Sequence, residues 1–261
     1  MRKTYIITGS TSGIGKALTE ELSKEGIVFA GYRNEPIEGE NIIPFYVDLS
    51  KPESIQPAIE KIKSQTEKID TIINCAGCVV AGALKHISYD ELLRQFNVNT
   101  FGALEFSKGF EPNKIINLSS MSSFGIYPFI APYCASKRAL DILFNLYQVE
   151  DKTGVKVVSL KLGSVSTPIW SKSIKENGKT LEKAKDYKSE CDYLVKNALK
   201  NETDAMPVEK VVRFVKKIDS MKNPKPSYTL GIDAKLTELV SHLPQGFINR
   251  IIKLKLRQIN K

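Results

Sequence analysis

A phenol and an ammonium stand four residues apart in "YCASK", as Tyr133 and Lys137. At about 3.6 residues per turn they would share one helix face. Together they could move a proton. A free tyrosine titrates near pH 10, too high for easy proton exchange at neutral pH. A nearby ammonium favours the phenolate and brings that value down. The spacing alone licenses only a shared face, which any solvated helix also offers.

A second chemical feature is "TGSTSGIG", from Thr8 to Gly15. Gly9, Gly13 and Gly15 let the backbone turn tightly and approach a pyrophosphate. A helix opening there would add unpaired N–H groups and a positive dipole end. Such a loop placed between a strand and a helix is the dinucleotide fingerprint. The next strand ends in "AGYRNE", with Tyr32 where an acidic residue would bind a ribose 2′-hydroxyl, and Arg33 after it. A guanidinium pairs with a 2′-phosphate, so NADP(H) is preferred and NAD(H) is the alternative. Ser12, where a second basic residue could help, is not basic.

These groups need a scaffold, and the chain alternates strand and helix patterns. "TYIIT" reads as a buried strand, and "GIGKALTEELSKEG" as a helix closed by Gly26. "IVFAGY" and "IIPFYV" read as strands. "SKPESIQPAIEKIKSQTEK" reads as a helix with Ser50 as N-cap and Pro57 giving a kink or late start. Strand "DTIINC", helix "SYDELLRQFNVNTFGALEFSKG", strand "KIINLSS", helix "APYCASKRALDILFNLYQVED" and strand "VKVVSLKLG" follow. Residues 171–205 are lysine-rich and helical with mobile connections. Helix "PVEKVVRFVKKIDS", strand "SYTLG" and a basic tail end the chain. The alternation predicts an α/β fold, a doubly wound parallel sheet of the Rossmann type. One domain is expected over 1–261, with a substrate-loop helical segment at about 169–206 and a basic C-terminal helix at about 246–258. Ligands in such sheets bind beyond the carboxyl ends of the strands.

The chain has 261 residues, 42% hydrophobic, enough for a full core. No apolar run reaches the roughly 20 residues that span a bilayer, and the start has no signal-peptide pattern. A cytoplasmic, reducing setting is expected, with Cys75, Cys78, Cys134 and Cys191 as free thiols. Cys75 and Cys78 form a C-x-x-C, but with His86 and His242 far away no metal site is expected. The net charge is +9. It is concentrated in "GFINRIIKLKLRQINK", where Arg250, Lys253, Lys255, Arg257 and Lys261 mix with Phe247, Ile248, Ile251, Ile252 and Leu254. That helix either lies on an anionic membrane or packs on its own domain or a partner subunit. Nucleic-acid binding is not expected: no recognition helix, zinc spacing or basic strand interleaved with aromatics is present.

In order, "TGSTSGIG", "DL" at Asp48–Leu49, "NCAG" at Asn74–Gly77, "NVN" ending at Asn99, "NLSS", "YCASK" and "LGSVSTP" at Leu162–Pro168 resemble the short-chain dehydrogenases/reductases. The resemblance implies a catalytic set of Asn99, Ser120, Tyr133 and Lys137. Ser120, thirteen residues before Tyr133, meets the family's spacing; Ser119 is its neighbour and Ser122 the weaker alternative. Ser120 would orient the substrate oxygen. Asn99 would hold a water linking Lys137 to solvent, and Lys137 would bind the ribose. Cys134, Ala135 and Ser136 would be small spacers. The implied cofactor residues are Gly9, Thr11, Ser12, Gly13, Ile14, Gly15, Tyr32, Arg33, Asp48, Leu49, Asn74, Ala76, Gly77, Tyr133, Lys137, Gly163, Val165 and Thr167. Asp48 would lie beside the adenine, Asn74 to Gly77 would support sheet and cofactor, and Val165 and Thr167 would hold the nicotinamide amide.

Two departures stand out. Leu162 replaces a common proline, and the 21 residues from Asn99 to Ser120 fall short by nearly two helical turns. The loss falls in "GALEFSKGFEPNK", on a helix that often forms the family's dimer face, so homo-oligomerisation is expected only with altered packing. Specificity is expected from Val79–Leu84, Met121–Phe129 and the segment after Pro168, with Val79, Val80, Met121, Phe124, Ile126, Tyr127, Phe129, Ile169 and Trp170. Their apolar character points to a hydrophobic alcohol or ketone, steroid-, retinoid- or lipid-like. The alternative is a dinucleotide-binding redox sensor or assembly protein with little turnover.

Overall fold

The computed structural model describes residues 2–125 and 127–259. Ile126 and Lys261, both named above, lie outside them. Seven strands form one sheet: β1 (Lys3–Thr8), β2 (Gly26–Tyr32), β3 (Ile42–Tyr46), β4 (Thr71–Asn74), β5 (Lys114–Ser120), β6 (Lys156–Leu162) and β7 (Ser227–Leu230). Their order is β3-β2-β1-β4-β5-β6-β7, and every pairing is parallel. The order reverses between β1 and β4, so the switch crevice opens beyond Thr8 and Asn74. The doubly wound Rossmann-type sheet follows the expectation from sequence.

Side chains alternate along each strand, and each face is covered by helices. On one face Ile6, Phe29, Ile72 and Ile115 meet α2 (Ile55–Lys63), α4 (Gly102–Lys108) and α5 (Ala131–Glu150). On the other Tyr5, Ile7, Val28, Ile73 and Ile116 meet α1 (Gly13–Leu22) and α8 (Val208–Ser220). Burying each such side chain stabilises the fold by about 1.5–3 kcal/mol. Helix α3 (Tyr89–Phe96), capped by a Ser88–Glu91 capping box, runs through a π-helical turn at Asn97–Phe101 into α4. Beyond β6 come α6 (Ile169–Lys183), α7 (Lys188–Asp204) and, after β7, α9 (Ile232–Val240) and α10 (Gln245–Ile259).

Three local expectations are corrected. Gly26 does not close the first helix, which ends at Leu22 with Ser23 as C-cap; it begins β2. A Cβ there would stand 2.3 Å from the Lys3 carbonyl oxygen, so the close approach to β1 needs a glycine. Ser50 is not an N-cap: its hydroxyl donates to Asp48 Oδ1 at 2.7 Å, and α2 starts only at Ile55, which matches the late start suggested by Pro57. Helix α9 had no counterpart in the sequence reading. Pro44 sits within β3, an edge strand where a missing donor is tolerated.

Candidate active site

Two loops meet at the switch crevice. Gly9 follows β1 at φ +68°, and a Cβ on it would lie 2.7 Å from Ala76 Cα. The Thr8 hydroxyl accepts from the Cys75 and Ala76 amides at 3.2 and 3.3 Å, tying the loop after β4 to β1. Helix α1 then opens at Gly13 with no acid in its first turn, and its N-cap Ser12 makes no side-chain capping bond. Its first N–H groups are free to receive an anion. This cradle fits a dinucleotide pyrophosphate.

The other implied cofactor residues surround the cradle. Asp48, buried, accepts from the Ser50 amide at 3.0 Å and holds the turn after β3. Asn74 donates to Asn117 Oδ1 at 2.8 Å and to Ser107 Oγ at 3.1 Å, bracing β4 against β5 and α4. Thr167 packs on Gly13, whose added Cβ would stand 3.2 Å from it. Val165 forms an isolated parallel bridge with Met206. Arg33 is exposed at the end of β2, its guanidinium 3.4 Å from the Glu176 carboxylate. Arg94 reaches the same carboxylate at 2.8 Å.

The four residues of the expected catalytic set come together at the ends of β5 and α5. Lys137 is buried, and its ammonium donates to the Leu118 carbonyl at 2.8 Å. The ammonium lies 5.9 Å from the centre of the Tyr133 ring. Ser120, at the end of β5, donates to the Ser122 hydroxyl at 3.2 Å and accepts from the Ser122 amide at 3.1 Å. Asn99 sits in the π-helical turn, where its amide exchanges two bonds with the Cys78 peptide, at 2.9 and 3.0 Å. Gly77 lies between: a Cβ on it would be 3.6 Å from Asn99 Oδ1 and 3.8 Å from Lys137 Nζ.

The electrostatics differ from the simple expectation. Burial pushes the Tyr133 phenol up to about 12, while the Ser120 hydrogen bond pulls the other way. Burial likewise draws the Lys137 ammonium below its usual value. Desolvation of the phenol outweighs the Ser120 hydrogen bond. Burial also raises the Cys75 thiol to about 12 and the Cys78 thiol to about 11, which keeps both protonated. Among the described residues no His, Cys, Asp or Glu group could hold a metal ion.

Ser136 is more than a spacer. Fully buried, it donates to the Tyr133 carbonyl at 2.9 Å and accepts from Asn99 Nδ2 at 3.1 Å. Gln95 completes this network, accepting from the Val80 amide at 2.6 Å and donating to the Cys78 carbonyl at 2.8 Å. Asp233, at the start of α9, accepts from the Ser164 amide at 2.7 Å and so anchors the turn carrying Val165 and Thr167. Sequence reasoning missed Gln95, Glu176 and Asp233. The acid two residues after Gly231 was the one visible sign of the last.

From Ile14, beside the cradle, a cavity of about 690 Å³ runs past Ser120, Tyr133 and Lys137. Val79, Met121, Phe124, Tyr127, Phe129, Ile169 and Trp170 line it as expected. Val80 is instead wholly buried in the fold and Leu84 is exposed. Its far half is lined by Tyr193, Leu194 and Ala198 of α7, within the expected 169–206 segment, and by Ile248, Ile252 and Leu256 of α10, which was unforeseen.

The short chain dehydrogenase family profile matches residues 3–178. The NADPH-dependent 3-dehydrocapnine reductase of Ornithobacterium rhinotracheale is 25% identical, over 98% of this chain and 98% of its own. Estradiol 17-beta-dehydrogenase 2 of Mus musculus is 29% identical over 97% of this chain and 74% of its own. A short chain dehydrogenase from Burkholderia cenocepacia, solved in complex with NADP, superposes with a TM-score of 0.72 at 20% identity, covering 95% of this chain and 97% of its own.

Proposed function

This chain belongs to the short-chain dehydrogenase family, and on that premise we propose that it moves a hydride between NADP(H) and a hydrophobic alcohol or ketone. The observation that carries the reading is the continuous cavity, which runs from Ile14 beside the phosphate cradle past Ser120 and Tyr133 to an apolar far wall. The names of the relatives, one NADPH-dependent and one acting on a steroid, support it.

When bound, the nicotinamide supplies or accepts the hydride. The protein's own residues manage the rest. Ser120 hydrogen-bonds the substrate oxygen and orients it toward Tyr133. Tyr133, protonated at neutral pH by its burial, gives its phenolic proton to that oxygen during reduction. Lys137, pinned by Leu118, offers its remaining N–H donors to the ribose and its charge to the phenolate left behind. Asn99 fixes the Cys78 peptide and faces Lys137 across Gly77, a position suited to a water that returns the proton from solvent. Apolar walls exclude bulk water, which strengthens each of these interactions. Arg33 is the group for a 2′-phosphate, and Gly163, Val165 and Thr167 hold the nicotinamide end.

We place the protein in the cytoplasm, with peripheral membrane contact through α10. No described helix is long and apolar enough to cross a membrane. Ile142, Leu146 and Val149 stay exposed along one face of α5, which suits self-association. The test is NADPH oxidation with a panel of apolar ketones and aldehydes, comparing the parent with Tyr133→Phe. Turnover should fall by about 10²–10⁴ in the variant. Equal rates would sink the mechanism.

A further inference from the structure

The last two helices have two faces with different tasks. Inward, Thr237 of α9, the Ser241 that caps it, and Ile248, Ile252, Leu256 and Ile259 of α10 line the substrate cavity. The Thr237 and Tyr127 hydroxyls hydrogen-bond at 2.8 Å and fasten α9 over the site. Outward, Ile232 is 81% exposed and Leu239 70%, and Leu243, Phe247 and Leu254 are also exposed. Leu236 and Ile251 belong to both sets: they line the cavity and remain about half exposed, so they mark its rim. An exposed row of large apolar side chains thus surrounds the mouth of an apolar cavity.

The charges on α10 are of one sign, while α9 carries the acids Asp233 and Glu238 beside Lys235. Within α10, Arg250, Lys253, Lys255 and Arg257 are all exposed, and the helix carries no acid. Arg250, Lys253 and Arg257 flank Phe247 and Leu254, whereas Lys255 borders the cavity with its ammonium 5.8 Å from the centre of the Tyr193 ring. None of the described residues of α10 is fully buried, so its packing on the domain leaves much of it facing outward. A basic helix with an apolar face is the pattern that settles into an anionic lipid interface. A second copy of the chain fits less well, because a two-fold contact would set these cations against their own images.

We propose that the α9–α10 face docks on an anionic lipid bilayer and opens the substrate cavity toward it. Phe247 and Leu254 enter the interface, the cations meet lipid phosphates, and a lipid-dissolved ketone passes the Leu236–Ile251 rim to reach Tyr133. The entry route rests on the proposed ketone chemistry; the docking does not.

The test is co-sedimentation of the full chain with vesicles of phosphatidylcholine alone or mixed with phosphatidylglycerol. The parent should bind the mixed vesicles, release from them in high salt, and ignore the neutral ones. The triple variant Arg250→Glu/Lys253→Glu/Arg257→Glu should bind at least roughly a hundredfold more weakly, since each cation near the surface contributes about fivefold. Its turnover of a small water-soluble ketone should match the parent's, because none of the three residues lines the cavity. Phe247→Ser/Leu254→Ser should also weaken binding, and this pair leaves every charge in place. Equal recovery on neutral and anionic vesicles would overturn the docking, as would unchanged binding of the triple variant. A dimer in solution that the triple variant dissociates, without vesicle binding by the parent, would assign the face to self-association instead. Vesicle binding without turnover of any ketone would leave the docking standing and remove the proposed reaction.

Discussion

The Glu176 carboxylate on α6 stands 3.4 Å from the guanidinium of Arg33, the residue assigned to a 2′-phosphate. A carboxylate and a phosphate compete for one guanidinium and repel each other. Burial raises the Glu176 carboxyl, but its hydrogen bond to Arg94 and both guanidinium charges hold it below the usual range. It is therefore ionised at neutral pH. Glu176→Gln should tighten NADPH binding about two- to fivefold, in keeping with a partly exposed pair, and leave NADH unchanged. Fluorescence titration with both cofactors checks this. An unchanged NADPH affinity would remove Glu176 as a competitor.

Arg33→Ala gives the complementary result. NADPH affinity should drop by about tenfold, the loss of one charge-assisted contact, while NADH affinity stays put. If both cofactors weaken together, Arg33 serves the shape of the loop and not the 2′-phosphate.

The Tyr133 phenol titrates near 12 when buried, against an ordinary value of 10.0. Its folded value is raised, so its contribution to stability is complete below pH 10 and is lost as pH climbs toward 12. Spectrophotometric titration of parent minus Tyr133→Phe should show this phenolate only well above pH 10. A difference signal centred at or below 10 would contradict the buried assignment.

Ser136→Ala removes an acceptor from Asn99 and Gln95 within a closed network. Leaving buried donors short of a partner costs about 1–3 kcal/mol. Urea unfolding should register that loss. A second readout separates positioning from packing: turnover should fall with little change in ketone KM.

Asp233→Ala should loosen the turn that Ser164 anchors. Dinucleotide affinity should weaken several-fold, roughly the effect of losing a hydrogen bond to a charged group at a partly exposed site. Loss of thermal stability with unchanged affinity would make Asp233 purely structural.

Much of this was legible in the chain itself. The strands reveal themselves as short apolar runs closed by Gly9, Gly77 and Gly163, because a parallel sheet is buried on both faces. Tyr133 and Lys137 were legible as a spacing once the helix holding them was placed. Glu176 was not, because its partner Arg33 lies 143 residues away. Asp233 meets Ser164 across 69 residues, and no local pattern encodes such a meeting. Helix α9 escaped notice because it follows β7 after a single glycine, Gly231, with no linker to signal a new element. The raised titration of Tyr133 depends on how completely the fold dries the phenol, which spacing does not express.

The cavity has one wall on β5 and α5, deep in the core, and the other on α7 and α10. The second wall can therefore change at little risk to the first. Substitutions along Ile248, Ile252 and Leu256 reshape the space for a substrate's far end without touching the groups that handle its proton. A lineage could move from one apolar ketone to another by drift in a single terminal helix, keeping the same reaction.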